Sequence, residues 1–308
     1  MPEVFGQRFL PPPFCCPSQE GYIELMQFLQ NEIPEVNYSQ ARVAILPVPF
    51  EKTTSFGKGA AHGPQAVLEV SPFLETYDEE LEVEPFNAGI TTLPTLNFSG
   101  SIEADFQIIT NQVNQLLDDE KFVIAIGGEH SISFPLYRAY HAKFKNLSVI
   151  QFDAHADLRD QYQGTPFSHA CVMRRIFSLN QRIVQLGIRA LSKEEAKFIK
   201  SSSIKTWFAH QLYKGWSEKI LHSLTENVYL TFDVDFFDPA VLPATGTPEP
   251  GGFFWPETLK FLKQLFETKN VIGVDVVELS PQPGSRHSEF TVAKLIYKLI
   301  GYKFFLNR

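Results

Sequence analysis

Leu147-Ser148-Val149-Ile150-Gln151-Phe152-Asp153-Ala154-His155-Ala156-Asp157 is the stretch on which the fold turns. Its first six residues are mostly apolar, as in a strand buried on both faces, and the last five alternate Asp, His and Asp with alanine. A parallel strand that empties into a ligand-binding edge reads this way. Five more apolar runs lie outward from it, at 43–46, 122–126, 183–186, 228–232 and 271–277. Helical patterns separate them. Ser101 is placed to cap a helix whose Phe106, Ile109, Val113, Leu116 and Leu117 share a face, and Ser192 with Glu195 forms a capping-box pattern. Pro256 suits the first position of another helix, with Leu259, Leu262, Leu265 and Phe266 as its apolar stripe. Strands alternating with helices imply an α/β fold, a three-layer α/β/α arrangement around a mostly parallel central sheet.

Within the 308 residues, no linker interrupts 41–308, which read as one catalytic domain. Residues 1–40, with Pro11, Pro12 and Pro13, read as an N-terminal extension laid over the domain or over a neighbouring subunit. The 27 basic residues against 35 acidic ones form no basic stripe, which excludes a nucleic-acid partner. Cys15, Cys16 and Cys171 make no disulfide framework, and neither a leader nor a long apolar span is visible. The expectation is a cytoplasmic protein with no membrane partner.

The polar clusters fall where the apolar runs end. The run 122–126 leads to Gly127-Gly128-Glu129-His130, the run 228–232 to Asp233-Val234-Asp235, and the run 271–277 to Glu278. Residues two apart on an extended chain face the same way, so Asp153, His155 and Asp157 would converge, as would Asp233 and Asp235. With His130 they make six candidate ligands from three neighbouring strand ends, enough for two metal ions sharing bridging carboxylates. Four carboxylates favour a hard divalent ion, and two imidazoles move the choice toward two Mn2+, with Ni2+, Co2+ or Fe2+ fitting the same set. Singly, such a His or Asp reads as a satisfied polar group or a helix cap. Together, carboxylates at the mouth of an apolar sheet repel one another unless a cation compensates them.

Gly127-Gly128-Glu129-His130-Ser131, Asp153-Ala154-His155-Ala156-Asp157 and Asp233-Val234-Asp235-Phe236-Phe237-Asp238-Pro239 resemble the ureohydrolases, the arginase and agmatinase group. The segments 54–64 and 244–252 are similar to agmatinases in particular. The resemblance runs from about residue 40 to the C-terminus. It implies an arginase-type fold with one ion held by His130, Asp153, Asp157 and Asp233, and the other by Asp153, His155, Asp233 and Asp235. It also implies that water acidified by two cations attacks a guanidinium carbon while Asp157 accepts a proton. His169 would carry a proton to the leaving amine, and Glu278 would hold the guanidinium. A homo-oligomer, trimer or hexamer, is a further implication.

The segment 158–167 lacks the hydroxyl and amide pattern with which arginases hold an α-carboxylate, so agmatine, cleaved to putrescine and urea, is expected before arginine. Asp160 and Glu249 are candidates for binding a distal ammonium group. Arg159 would instead suit a distal carboxylate, as in guanidinobutyrate, and bulky Phe236 and Phe237 would suit a narrowed pocket for a small compound such as guanidine. A catalytically idle metal protein is the reading from another class; loss of a ligand would favour it, and none is lost.

Overall fold

The computed structural model describes residues 26–306. Eight strands form one parallel sheet: β1 (Val43–Val48), β2 (Ile90–Thr92), β3 (Phe122–Gly127), β4 (Leu147–Phe152), β5 (Ile183–Ile188), β6 (Lys205–Phe208), β7 (Asn227–Asp233) and β8 (Asn270–Val277). Their order across the sheet is β2-β1-β3-β8-β7-β4-β5-β6, and each neighbouring pair is parallel. Alternation along a strand divides its apolar residues between two cores. Val43 and Ile45 face one core, built with the helices Gly63–Val70, Trp255–Thr268 and His287–Phe305. Ala44, Leu46 and Val48 face the other, built with the helices Ile102–Asp118, Ser133–Lys143 and Val172–Leu179. The result is the three-layer α/β/α architecture.

The six apolar runs are six of the eight strands. The two unannounced ones are edge strands: β2 has three residues, and β6 is exposed or half-buried along its length, so neither carries a buried apolar run. Ser101 accepts from Ala104 N as N-cap, and Ser192 with Glu195 makes the capping box. Pro256 is the second residue of its helix, not the first, because the helix opens at Trp255.

Pro11 to Pro13 lie outside the described residues. Of the extension, residues 26–40 pack on the domain through buried Phe28 and Leu29, whose N–H groups donate to Thr92 Oγ1 and Ser71 Oγ. Cys171 is buried and free. Among the described residues no helix is long and apolar enough to cross a membrane.

Candidate metal centre

Four adjacent central strands, β3, β8, β7 and β4, discharge at one edge of the sheet. β3 leads into Glu129 and His130, β8 into Glu278, β4 into Asp153, and β7 closes on Asp233. The ligand-bearing ends are therefore not all direct neighbours, since β8 lies between β3 and β7 and brings Glu278 into the middle.

Strand alternation does not bring the aspartates together. The chain leaves the extended conformation after Phe152, and Asp157 has a left-handed φ of 53°. Asp235 sits in a 3-10 turn, Val234–Phe236, and its N–H donates to Asp233 Oδ1 at 2.9 Å. Loop hydrogen bonds impose the convergence. Asp157 O accepts from Met173 N and Arg174 N, and Leu158 N donates to the buried carboxylate of Glu195 at 2.9 Å. Arg189 donates to the carbonyls of Asp235 at 2.6 Å and Glu249 at 2.9 Å, tying two loops together.

His130 Nδ1 lies 3.1 Å from Asp153 Oδ2, 3.0 Å from Asp157 Oδ2 and 3.3 Å from Asp233 Oδ2. His155 Nδ1 lies 2.8 Å from Asp235 Oδ2 and 3.7 Å from Asp153 Oδ1. Two groups of ligand atoms result, His130/Asp153/Asp157 and Asp153/His155/Asp235, each within 4.8 Å and joined through Asp153.

The donor set fits cations on proton bookkeeping. Thr231 Oγ1 gives its proton to Asp275 at 2.7 Å, so at 2.8 Å from His130 Nε2 it accepts. Nδ1 is buried, lacks a hydrogen-bond partner and faces three carboxylates. A lone pair aimed at carboxylates is repelled unless a positive charge, proton or metal ion, lies between them. Burial, then Asp235 and Asp157, pushes Asp153 up to about 7. Asp233 also rises well above the carboxylate range, chiefly through burial. Burial works to depress His155, but the charge and hydrogen bond of Asp235 together with the charges of Asp153 and Asp157 outweigh it and lift the imidazole to about 11. Burial likewise works against Asp235, yet His155 holds it down at about 2. Asp153 is further held by Gln151, whose amide donates at 2.6 Å and which itself accepts from Gln185 at 2.7 Å.

The cluster floors a cleft of about 200 Å³ that Thr54, Phe56, Tyr162, His169 and Glu278 help to line. Burial pushes Glu278 up to about 8, although its Oε1 accepts the His130 N–H at 2.6 Å. Glu249 Oε1 reaches within 3.8 Å of His155 Nε2. Asp160 is not brought in: its carboxylate is 72% exposed and pairs with Arg175 at 2.7 Å. Arg159 lines the cleft, with its guanidinium 4.9 Å from the Tyr162 ring and 3.9 Å from Glu195. Phe236 and Phe237 do not narrow the cleft. Neither lines it; both are buried, Phe236 stacked on Phe253 at 4.7 Å and Phe237 on Trp255 at 6.1 Å. Thr231, Asp275 and Gln151 support the cluster from within β7, β8 and β4, where the sequence marks them only as polar residues in mostly apolar strands.

The model of the arginase family matches residues 41–301. An N(1)-aminopropylagmatine ureohydrolase of Synechocystis sp. is 43% identical over 286 residues, 90% of this chain and 93% of the relative. An agmatinase of Pyrococcus horikoshii is 35% identical, over 88% of this chain and 95% of the relative. Among solved structures, the agmatine ureohydrolase of Thermoplasma volcanium superposes with a TM-score of 0.82 at 27% identity, covering 92% of this chain and 95% of that one.

Proposed function

The chain belongs to the arginase family and is an agmatinase-type ureohydrolase, and on that premise we propose that its substrate is a guanidino-alkylamine, N(1)-aminopropylagmatine ahead of agmatine. The observation that carries the reaction is the buried His130 Nδ1 facing three carboxylates beside Glu278 in one cleft. In this reading His130, Asp153, Asp157 and Asp233 would hold one manganese ion, and Asp153, His155, Asp233 and Asp235 would hold the other. Bound there, the two cations would acidify a water molecule for attack on the guanidinium carbon.

The chain's own side chains do the rest. Glu278, buried and raised toward neutrality, gains most from a cationic partner, because a guanidinium offsets the cost of ionising it. Asp157 accepts a proton during attack, and His169 donates one to the departing amine nitrogen. Urea and the amine leave: putrescine from agmatine, the corresponding triamine from N(1)-aminopropylagmatine.

Two observations favour the longer substrate. The aminopropylagmatine-cleaving relative from Synechocystis exceeds the Pyrococcus agmatinase in identity, 43% against 35%. Phe56, 81% exposed, lines the cleft, and the Glu249 carboxylate lies 3.8 Å from Nε2 of the cleft-lining His155. An aromatic face and an acid suit methylenes and a second cationic nitrogen. Arg159 is already engaged by Tyr162 and Glu195, which weakens the case for a distal carboxylate such as that of guanidinobutyrate.

Urea release from manganese-loaded protein across N(1)-aminopropylagmatine, agmatine, guanidinobutyrate, guanidine and arginine tests this. We expect kcat/KM about tenfold higher for N(1)-aminopropylagmatine than for agmatine, the worth of one added ion-pair contact. Agmatine cleaved as well or better would overturn the longer substrate. No urea from any of the five between about pH 7 and 10 would overturn the whole reading.

A further inference from the structure

Glu129 is fully buried and adjoins His130, yet its carboxylate is committed to the loop at 51–55. Oε2 accepts Lys52 N at 2.7 Å and Thr53 N at 2.6 Å. Oε1 accepts the hydroxyls of Thr53 at 2.6 Å and Ser131 at 2.5 Å. Gly128 makes this possible, because a Cβ there would stand 2.1 Å from Phe50 O and drive the two segments apart.

A threonine hydroxyl has one proton, and Thr53 spends it on Glu129. Toward every other neighbour Thr53 Oγ1 must then accept. It accepts His169 N at 3.0 Å and also lies 3.3 Å from His169 Nδ1. A bare Nδ1 would set a lone pair against a lone pair, so the proton belongs on Nδ1. Ser168 Oγ, also 3.3 Å from Nδ1, is free to accept as well. In the neutral ring the basic atom is then Nε2, which lies 3.3 Å from Ser55 Oγ on the cleft wall. Tyr162 packs edge-on against the ring at 6.0 Å.

We infer that Glu129, acting through Thr53, is a positioning residue that fixes His169 in the Nδ1–H tautomer, so that Nε2 is the nitrogen that exchanges protons in the cleft. Its kinetic consequence rests on the reading of His169 as the proton carrier: the imidazolium gives its Nε2 proton to the leaving amine nitrogen, the ring is left neutral with Nδ1–H, and the proton that Asp157 took up during attack returns to Nε2 through solvent.

The geometry specifies what Glu129→Gln does. The two backbone N–H groups at the Oε2 position oblige the amide oxygen to sit there, which puts the amide NH2 against Thr53 Oγ1. Thr53 then accepts from the amide, its own proton turns to His169 Nδ1, and the tautomer inverts to Nε2–H. Nitrogen-15 NMR of histidine-labelled, zinc-loaded protein near pH 9, above the ordinary histidine range, reads the tautomer directly. The His169 signal is identified by its loss in His169→Gln, and Ser168→Ala removes the competing hydroxyl. Expected are Nδ1–H in the native protein and in Ser168→Ala, Nε2–H in Glu129→Gln, and loss of the Nδ1–H preference in Thr53→Val. In turnover, Thr53→Val and Glu129→Gln lower kcat about 10- to 100-fold with KM within about twofold and metal content unchanged, and Thr53→Ser restores kcat. Native Nε2–H, a tautomer unmoved by Glu129→Gln, or an unchanged kcat in Thr53→Val would overturn the inference. A native protein that releases urea from no guanidino compound would sink the proposed function, while the NMR arm still decides the tautomer.

Discussion

At the scale of single residues, the site is a set of charges that the sheet edge cannot hold without compensation. Asp153 rises from 3.8 to about 7 and Glu278 from 4.5 to about 8, both chiefly through burial. Without metal, the folded chain therefore keeps protons on these acids that the unfolded chain has released, and its stability declines as pH rises from about 5 to 8. His155, raised from 6.5 to about 11, adds a decline of the same sign above its unfolded value. Asp235, lowered from 3.8 to about 2, contributes stability above 3.8 that is lost only as pH falls toward 2. Melting temperature of the metal-free protein is thus expected to drop by roughly 5 °C or more between about pH 5 and 8, with manganese restoring more at pH 8 than at pH 5. A flat or rising profile would contradict these charge assignments. At this scale the ligand-type residues are legible, because Asp and His in runs at strand ends have no other economical purpose. Thr53, Thr231 and Asp275 are not, because a hydroxyl or a lone acid acquires meaning only from which proton it has already given away.

At the scale of elements, interior strands announce themselves and edges do not. β4 is readable because both its faces are buried, while β6, Lys-Thr-Trp-Phe, is short and exposed or half-buried, so it carries no apolar run. Helix caps are readable from pattern, but their second uses are hidden. Glu195 completes a capping box with Ser192 and also receives Leu158 N, one residue past Asp157. Ser192→Ala should cost about 1 kcal/mol and leave manganese affinity within about threefold. Glu195→Ala should cost about 2–3 kcal/mol, since it strands a buried N–H, and weaken manganese binding about 10- to 100-fold by loosening Asp157. Denaturation and chelator-competition titrations of the two variants separate these effects. Equal manganese affinity in both would show that the helix cap does not organise the ligand loop. Sequence periodicity misplaces the cause of convergence for the same reason: it extends strand geometry to Asp157, where a left-handed turn and loop hydrogen bonds do the work.

At the scale of the whole molecule, one parallel sheet gathers residues scattered from 129 to 278 onto a single edge, and its order places Glu278 between the ends that carry His130 and Asp233. Helices on both faces bury the central strands, and the candidate ligands lie where those strands stop. The central claim is that this edge holds two cations through shared aspartates. Metal content and electron paramagnetic resonance of the manganese-loaded chain test it most directly. Two manganese ions per chain with a spin-coupled signal are expected, and at most one, uncoupled, after Asp233→Asn; a native chain that retains fewer than two ions, or two that are magnetically independent, would rule out a shared-aspartate pair.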